Sequence, residues 1–114
     1  MRHKNILVLE GRVGNDFRYS RTIEGRVYAS FTLQVKSFDK ELKDITENKE
    51  HISIRIEVFD HKLVKYLQGV NCHNGCLVNI LGRLNAYKTE KNGVTFYQND
   101  VVVRDINVIK TLAD

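Results

Sequence analysis

Apolar and polar side chains alternate through ten positions from Val27 to Lys36. This period predicts a half-buried strand with Val27, Ala29, Phe31, Leu33 and Val35 turned to a core. Its other face would present Tyr28, Ser30, Thr32, Gln34 and Lys36, and a Gly-containing turn, Ile23 to Arg26, precedes it. A second alternating run, Ile52 to Phe59, would turn Ile52, Ile54, Ile56 and Val58 inward and Ser53, Arg55, Glu57 and Phe59 outward. Near the amino terminus, Asn5 to Leu9 opens a strand that is expected to continue to Phe17. Its apolar residues fall on both faces, which predicts cover on two sides. Gly11 and Gly14 would permit strong curvature or a bulge. Arg18 to Thr22 is expected to lead into the turn.

Asp60 can accept the first free amides of a short helix whose apolar stripe is Leu63, Val64 and Leu67. Gln68 to Gly75 reads as a loop, Leu77 to Tyr87 as a fourth strand interrupted by Gly82, and Lys88 to Gly93 as a hairpin connection with an Asn-Gly turn signal. Val94 to Val103 is the fifth strand, and Ile106 to Ile109 continues it or packs as a short coda. The charged segment Asp39 to Glu50 lacks a strand period and is predicted to be a loop. Five strands with one helix between the third and fourth predict an all-β, five-stranded oligonucleotide-binding barrel, formed as one domain over residues 1–114. A barrel of the SH3 type would have shorter strands and no helix at that point.

The chain has 114 residues and a formal charge of +4, from 18 Lys or Arg against 14 Asp or Glu. Asp39 to Glu50 holds five acids and three bases, a local charge of -2, which leaves +6 on the remainder. A body of that sign attracts nucleic acid, an anionic membrane surface or an acidic partner. At this size only about two-thirds of the unfolded chain's surface is buried on folding, so oligomerisation would add stability. The apolar run Ile6 to Leu9 is too short for a signal peptide, and nothing approaches the roughly 20 apolar residues of a membrane span. A cytoplasmic location is the expectation. Cys72 and Cys76 are spaced C-x3-C around His73. A structural zinc site needs about four ligands and no second pair is near, so reduced thiols are expected over a disulfide or a metal, and no cofactor is expected.

Enzyme signatures are missing: there is no H-E-x-x-H, P-loop or Gly-x-Ser-x-Gly elbow, and Gly11-Arg12-Val13-Gly14 lacks the rest of a dinucleotide fingerprint. Exposed rings beside basic side chains are what single-stranded nucleic acid requires, rings for unstacked bases and cations for phosphates. Phe59, turned outward by strand alternation, is the sharpest ring candidate; burial under the helix or in a subunit interface is its competing role. Phe38 lies two residues beyond Lys36, at the end of the long strand. Tyr87 and Lys88 end the fourth strand and Phe96-Tyr97 begins the fifth, where rings on two hairpin arms could clamp a strand or simply pack across it. Tyr28 could stack on a base or sit in an interface. The candidate nucleic-acid-binding residues are thus Arg12, Tyr28, Lys36, Phe38, Arg55, Phe59, Arg83, Tyr87, Lys88 and Tyr97, with Arg55 partly offset by Glu57.

Several spaced motifs resemble the bacterial single-stranded DNA-binding protein family from Asn5 to Leu112. They are Asn5 to Asp16, Gly25-Arg26 followed by Ala29 to Leu33, Val58-Phe59 with Leu63 and Tyr66-Leu67, Ile80 to Leu84, Asn92-Gly93, and Val101 to Val103. The resemblance implies coating of single-stranded DNA without strong sequence preference in replication, recombination and repair. It also implies a homo-oligomer, tetramer or dimer, and no catalysis. Phe59 stands at a family base-stacking position. The other three, commonly tryptophan, fall near Phe38-Asp39, on Ser53 and on Thr89. Phe38 and Tyr87 would replace two of them by a small shift, while Ser53 offers no ring, which implies weaker or differently routed binding. The loop Gly69 to Gly75 is longer than usual in the family. The acidic-tipped tail that often recruits replication enzymes is not seen before Asp114. The expectation is therefore a specialised, plasmid, phage or mobile-element member, or more distantly a relative of the primosomal replication protein N. An adaptor acting mainly through protein contacts and a single-stranded RNA binder are the alternatives.

Overall fold

The computed structural model describes residues 4–36 and 51–110. Its strands are β1 (Leu7–Val13), β2 (Arg18–Arg21), β3 (Val27–Lys36), β4 (His51–Val58), β5 (Leu77–Lys91) and β6 (Val94–Lys110), with helix α1 (His61–Gly69) between β4 and β5. They form one sheet in the order β1-β5-β6-β4-β3-β2, antiparallel except where β4 meets β6. A further pairing, Arg12 with Gln34 and Val13 with Leu33, joins β1 to β3. This mixed six-stranded sheet with a short helix resembles the oligonucleotide-binding layout that the element order predicts.

The strand count is corrected from five to six. Arg18 to Arg21 is a strand rather than a lead into the turn, because the turn at Gly25 folds it tightly back. Thr22 N–H donates to the Arg26 carbonyl at 2.9 Å, and Arg18 to Arg21 pairs with Ser30 to Val27. The first strand stops at Val13, short of the expected Phe17. Only one of its faces is well covered within the chain: Leu7 and Leu9 are half-buried, while Val8 stays exposed. β5 extends further than the pattern indicated, while β6 begins at the expected Val94 and continues through Ile106 to Ile109. β5 reaches Lys91 and β6 starts at Val94, so the connection shrinks to the two residues Asn92 and Gly93. Both have positive φ, 55° and 77°, as a tight hairpin turn of that hand requires.

The core takes the middle inward positions of β3 and β4, as expected, and adds residues of β5 and β6 that the pattern did not assign. Ala29, Phe31 and Leu33 of β3 pack with Ile56 and Val58 of β4, Val78 and Ile80 of β5, Val101, Val103 and Ile106 of β6, and Val64 and Leu67 of α1. Burying a side chain the size of Phe31 contributes about 1.5–3 kcal/mol, and Phe17 stacks on it at 5.4 Å between ring centroids. Val27, Val35 and Ile54 are only half-buried, and Ile52 is exposed, because the outer ends of β3 and β4 run past the core.

Two glycines permit the close crossings. A Cβ on Gly11 would lie 2.3 Å from the Gln34 carbonyl oxygen where β1 meets β3, and one on Gly82 would lie 2.6 Å from the Val102 carbonyl oxygen. β5 runs on through Gly82 without the expected interruption, and the β5–β6 register slips there, Leu81 pairing with Asp105 and Gly82 with Val103, which leaves Arg104 as the extra residue of a bulge on β6. Asn5 extends the β1–β5 edge with its side chain, donating to the Leu84 carbonyl at 2.7 Å and accepting from Leu84 N–H at 2.8 Å.

Helix α1 begins as the sequence indicates. Asp60 Oδ1 accepts from Lys62 N–H at 2.8 Å and from Leu63 N–H at 3.3 Å. The segment after it carries two buried free thiols, Cys72 and Cys76. Burial, together with Cys76 alongside, pushes the Cys72 thiol up to about 12, so it is a protonated packing group rather than a nucleophile. This loop clasps the end of β1: Gly75 N–H donates to the Val13 carbonyl at 2.8 Å, and Val13 N–H to the Cys76 carbonyl at 2.9 Å. Among the described residues, no group of three or more His, Cys, Asp or Glu is placed to hold a metal ion. No helix among them is long and apolar enough to cross a membrane.

Candidate nucleic-acid interface

Strand registers assemble one outward face from four strands. Between β3 and β4, Ser30 stands opposite Glu57, Thr32 opposite Arg55 and Gln34 opposite Ser53. Arg55 is in turn opposite Asp100 of β6, and Glu57 opposite Val102. Across β6, Asp100 faces Asn85 and Val102 faces Arg83 on β5, while Tyr87 faces Gln98. Arg12, opposite Gln34, continues the face onto β1. Of the candidates in the sequence, Arg12, Tyr28, Lys36, Arg55, Arg83 and Tyr87 therefore share a face, and Phe59 follows directly after β4.

Tyr28 and Phe59 stack on each other, centroids 5.0 Å apart and planes inclined by 29°. Phe59 remains 40% exposed. The ring is neither buried under α1 nor left alone; Tyr28 holds its orientation and leaves area for a third ring. Such preorganisation lowers the conformational entropy lost when a base docks.

The hairpin formed by the outer halves of β5 and β6 projects a second set of rings. Counting back from the Asn92-Gly93 turn, Thr89 pairs with Phe96 and Tyr87 with Gln98, whereas Lys88 pairs with Tyr97. Side chains two apart share a face, so Tyr87 and Phe96 stand on the side of Asp100 and Arg83, and Lys88 and Tyr97 on the reverse. Tyr87, Phe96 and Tyr97 are 40%, 48% and 78% exposed. Phe96 stands across from Thr89, supplying a ring beside a position that carries none. Two-residue turns fix hairpin register, and that counting rule was the signal in the sequence that distinguishes Phe96 from Tyr97.

The polar groups on this face are tied together. Asp16, in the bend before β2, accepts from Thr32 N–H at 2.8 Å and from Thr32 Oγ1–H at 2.7 Å, and pairs with Arg55 at 3.5 Å. Burial acts to raise its carboxyl, but the Thr32 donors and the Arg55 charge outweigh it and hold Asp16 below the usual carboxylate range. Tyr87 Oη donates to Asp100 Oδ2 at 3.1 Å. Burial pushes the Glu57 carboxyl up, and a hydrogen bond and like charge from neighbouring Asp100 add to this, with Arg55 opposing. These acids were not predicted in the face, since strand alternation alone does not show which diagonal neighbours touch.

Arg12 donates through Nη1 to the Gly75 carbonyl at 2.9 Å, so the cysteine loop orients this cation. Arg12, Lys36 and His51 line one shallow groove with Glu10 and Gln34. Phe38 lies outside the described residues.

An outward face of rings and guanidinium groups on such a sheet defines a class of single-stranded nucleic-acid binders. The family model described as single-strand binding protein family matches residues 4–109, and the chain belongs to that family. Members are non-catalytic binders of single-stranded nucleic acid, as the missing enzyme motifs had indicated. Solved structures show the same fold at low identity. The SSB of Plasmodium falciparum, in complex with single-stranded DNA, has a TM-score of 0.80 at 20% identity, over 96% of this chain and 98% of that one. Rim1, a mitochondrial single-stranded DNA-binding protein of S. cerevisiae, has a TM-score of 0.75 at 18% identity over the same shares. No curated protein matches the chain.

Proposed function

We propose that this chain binds single-stranded DNA with little dependence on sequence, as a homo-oligomer of two or four copies, in replication, recombination or repair in the cytoplasm. The observation that carries the reading is the set of exposed rings, Phe59, Tyr87 and Phe96, on the outward side that also bears Arg55 and Arg83. Each stacked base contributes roughly 1–3 kcal/mol whatever its identity. Arg12, Lys36 and Arg83 would track phosphates at the margins. The β1–β3 pairing supports a sheet closed as a five-stranded barrel with β2 appended. The DNA bound to the Plasmodium structure supports DNA as the ligand. Exposed Val8 and Ile6 on and beside β1 support a further copy as the cover of that strand.

The test is anisotropy of labelled single-stranded DNA, duplex DNA and RNA of equal length across a salt series, with mass measured in solution. Single-stranded DNA should bind best, and log affinity should fall linearly with log salt as counterions are released. Equal binding of duplex, or an affinity flat with salt, overturns the reading. Preference for RNA would reassign the ligand.

A further inference from the structure

Phosphate tracking does not explain why two acids stand between the rings. Glu57 on β4 and Asp100 on β6 are diagonal neighbours on one face of the parallel β4–β6 ladder, where Arg55 stands opposite Asp100 and Glu57 opposite Val102. Asp100 is 8% exposed and is held by Tyr87, while Glu57 is two residues before Phe59 on the same side of the strand. The pair is thus flanked by the Tyr28–Phe59 stack and by Tyr87. Opposite Glu57 on β3, Ser30 is buried, 1% exposed, and among the described residues its Oγ has no hydrogen-bond partner. A carboxyl pair and an unpartnered hydroxyl therefore converge between two ring platforms.

Carboxylates repel a phosphate but not a base edge. An ionised carboxylate is acceptor-only, and a hydroxyl can donate or accept. Cytosine, adenine and guanine each present an exocyclic amino donor, whereas thymine presents one N–H between two carbonyl oxygens that a carboxylate repels. We propose that Glu57 and Asp100 form a base-reading element that turns bases rather than phosphates toward the sheet and favours amino-bearing bases over thymine. This deepens, and depends on, the single-stranded DNA reading; it sets a bias among bases, not a recognition sequence.

The charged and titratable groups around Glu57 are Arg55 on its own strand, Asp100 on β6, Tyr87 on β5, and Arg18 of β2 beyond Ser30. Asp16 engages Arg55 from the bend before β2, and β3 contributes the titratable Tyr28, stacked on Phe59, beside the uncharged Ser30 and Thr32. Protonating Glu57 removes an acceptor, so the bias should grow as pH rises through the titration of that carboxyl.

The experiment compares affinities of the full chain for cytosine and thymine homopolymers of equal length at fixed salt, for wild type, Glu57→Gln and Asp100→Asn. A glutamine amide matches the N–H and a carbonyl oxygen of thymine, so E57Q should lower the cytosine-to-thymine ratio about five-fold or more. D100N should lower it in the same direction. The wild-type ratio should fall as pH is lowered through the titration of Glu57, and the E57Q ratio should stay level. Equal ratios in all three proteins, with binding intact, overturn this inference alone. Loss of single-strand binding by the wild type overturns the underlying reading as well.

Discussion

Strand β5 joins two regions built on opposite plans. From Leu77 to Gly82 its residues alternate between half-buried and buried, and the strand is locked between β1 and β6. From Arg83 to Lys91 every side chain is exposed, and β6 is its principal partner. The same backbone ladder runs through both, so regular hydrogen bonding does not distinguish them. Side-chain burial does. The inner half supplies stability, and the outer hairpin holds rings and cations away from the core where a ligand can reach them.

Substitutions should separate these regions. The largest effect belongs to the core: Phe31→Ala should cost about 3–5 kcal/mol in urea unfolding, with nucleic-acid affinity per folded molecule little changed. Gly82→Ala tests the junction itself, since its Cβ would meet the Val102 carbonyl at 2.6 Å. A loss of roughly 1–3 kcal/mol of stability is expected there. On the hairpin the outcome reverses: Phe96→Ala should alter stability by less than about 0.5 kcal/mol, whereas Tyr87→Ala also removes the donor to buried Asp100 and should cost about 1–3 kcal/mol. Each should weaken single-strand binding by about five-fold or more in anisotropy titrations. Tyr97→Ala, on the reverse face, should change that affinity less. Equal losses for Phe96 and Tyr97 would break the assignment of faces.

A further, pH-dependent effect concerns Asp16. Its folded-state carboxyl is held below its ordinary value, so its contribution to stability is present above that ordinary value and is lost as pH falls through the lowered one. Asp16→Asn should cost about 1 kcal/mol near neutral pH. The gap from wild type should narrow in strongly acidic solution, as followed by unfolding at each pH.

Much of this arrangement was legible from residues alone. The inward positions of β3, Ala29, Phe31 and Leu33, followed from period two, and the start of α1 followed from Asp60 and the Leu63-Val64-Leu67 stripe. The strand at Arg18 to Arg21 was not legible, because four polar-rich residues carry no burial period; pairing with β3 makes it a strand. The length of β5 was also understated. Its outer residues lack the alternation that reveals a core, since neither face of the hairpin is buried. In the site, Phe59 and Arg55 were visible by alternation. The Glu57–Asp100 approach was not, since those residues are 43 positions apart in the chain and meet only through the parallel β4–β6 pairing.

The sequence by itself determined the buried middle of β3 and β4, where the helix begins, and the family, because these depend on local spacing and short motifs. Tertiary structure decided which outward residues become neighbours: Tyr28 with Phe59, Tyr87 with Asp100, Phe96 across from Thr89. The physical reason is that period two fixes the face of a residue within its strand, whereas register, crossing and bulge fix who stands beside it.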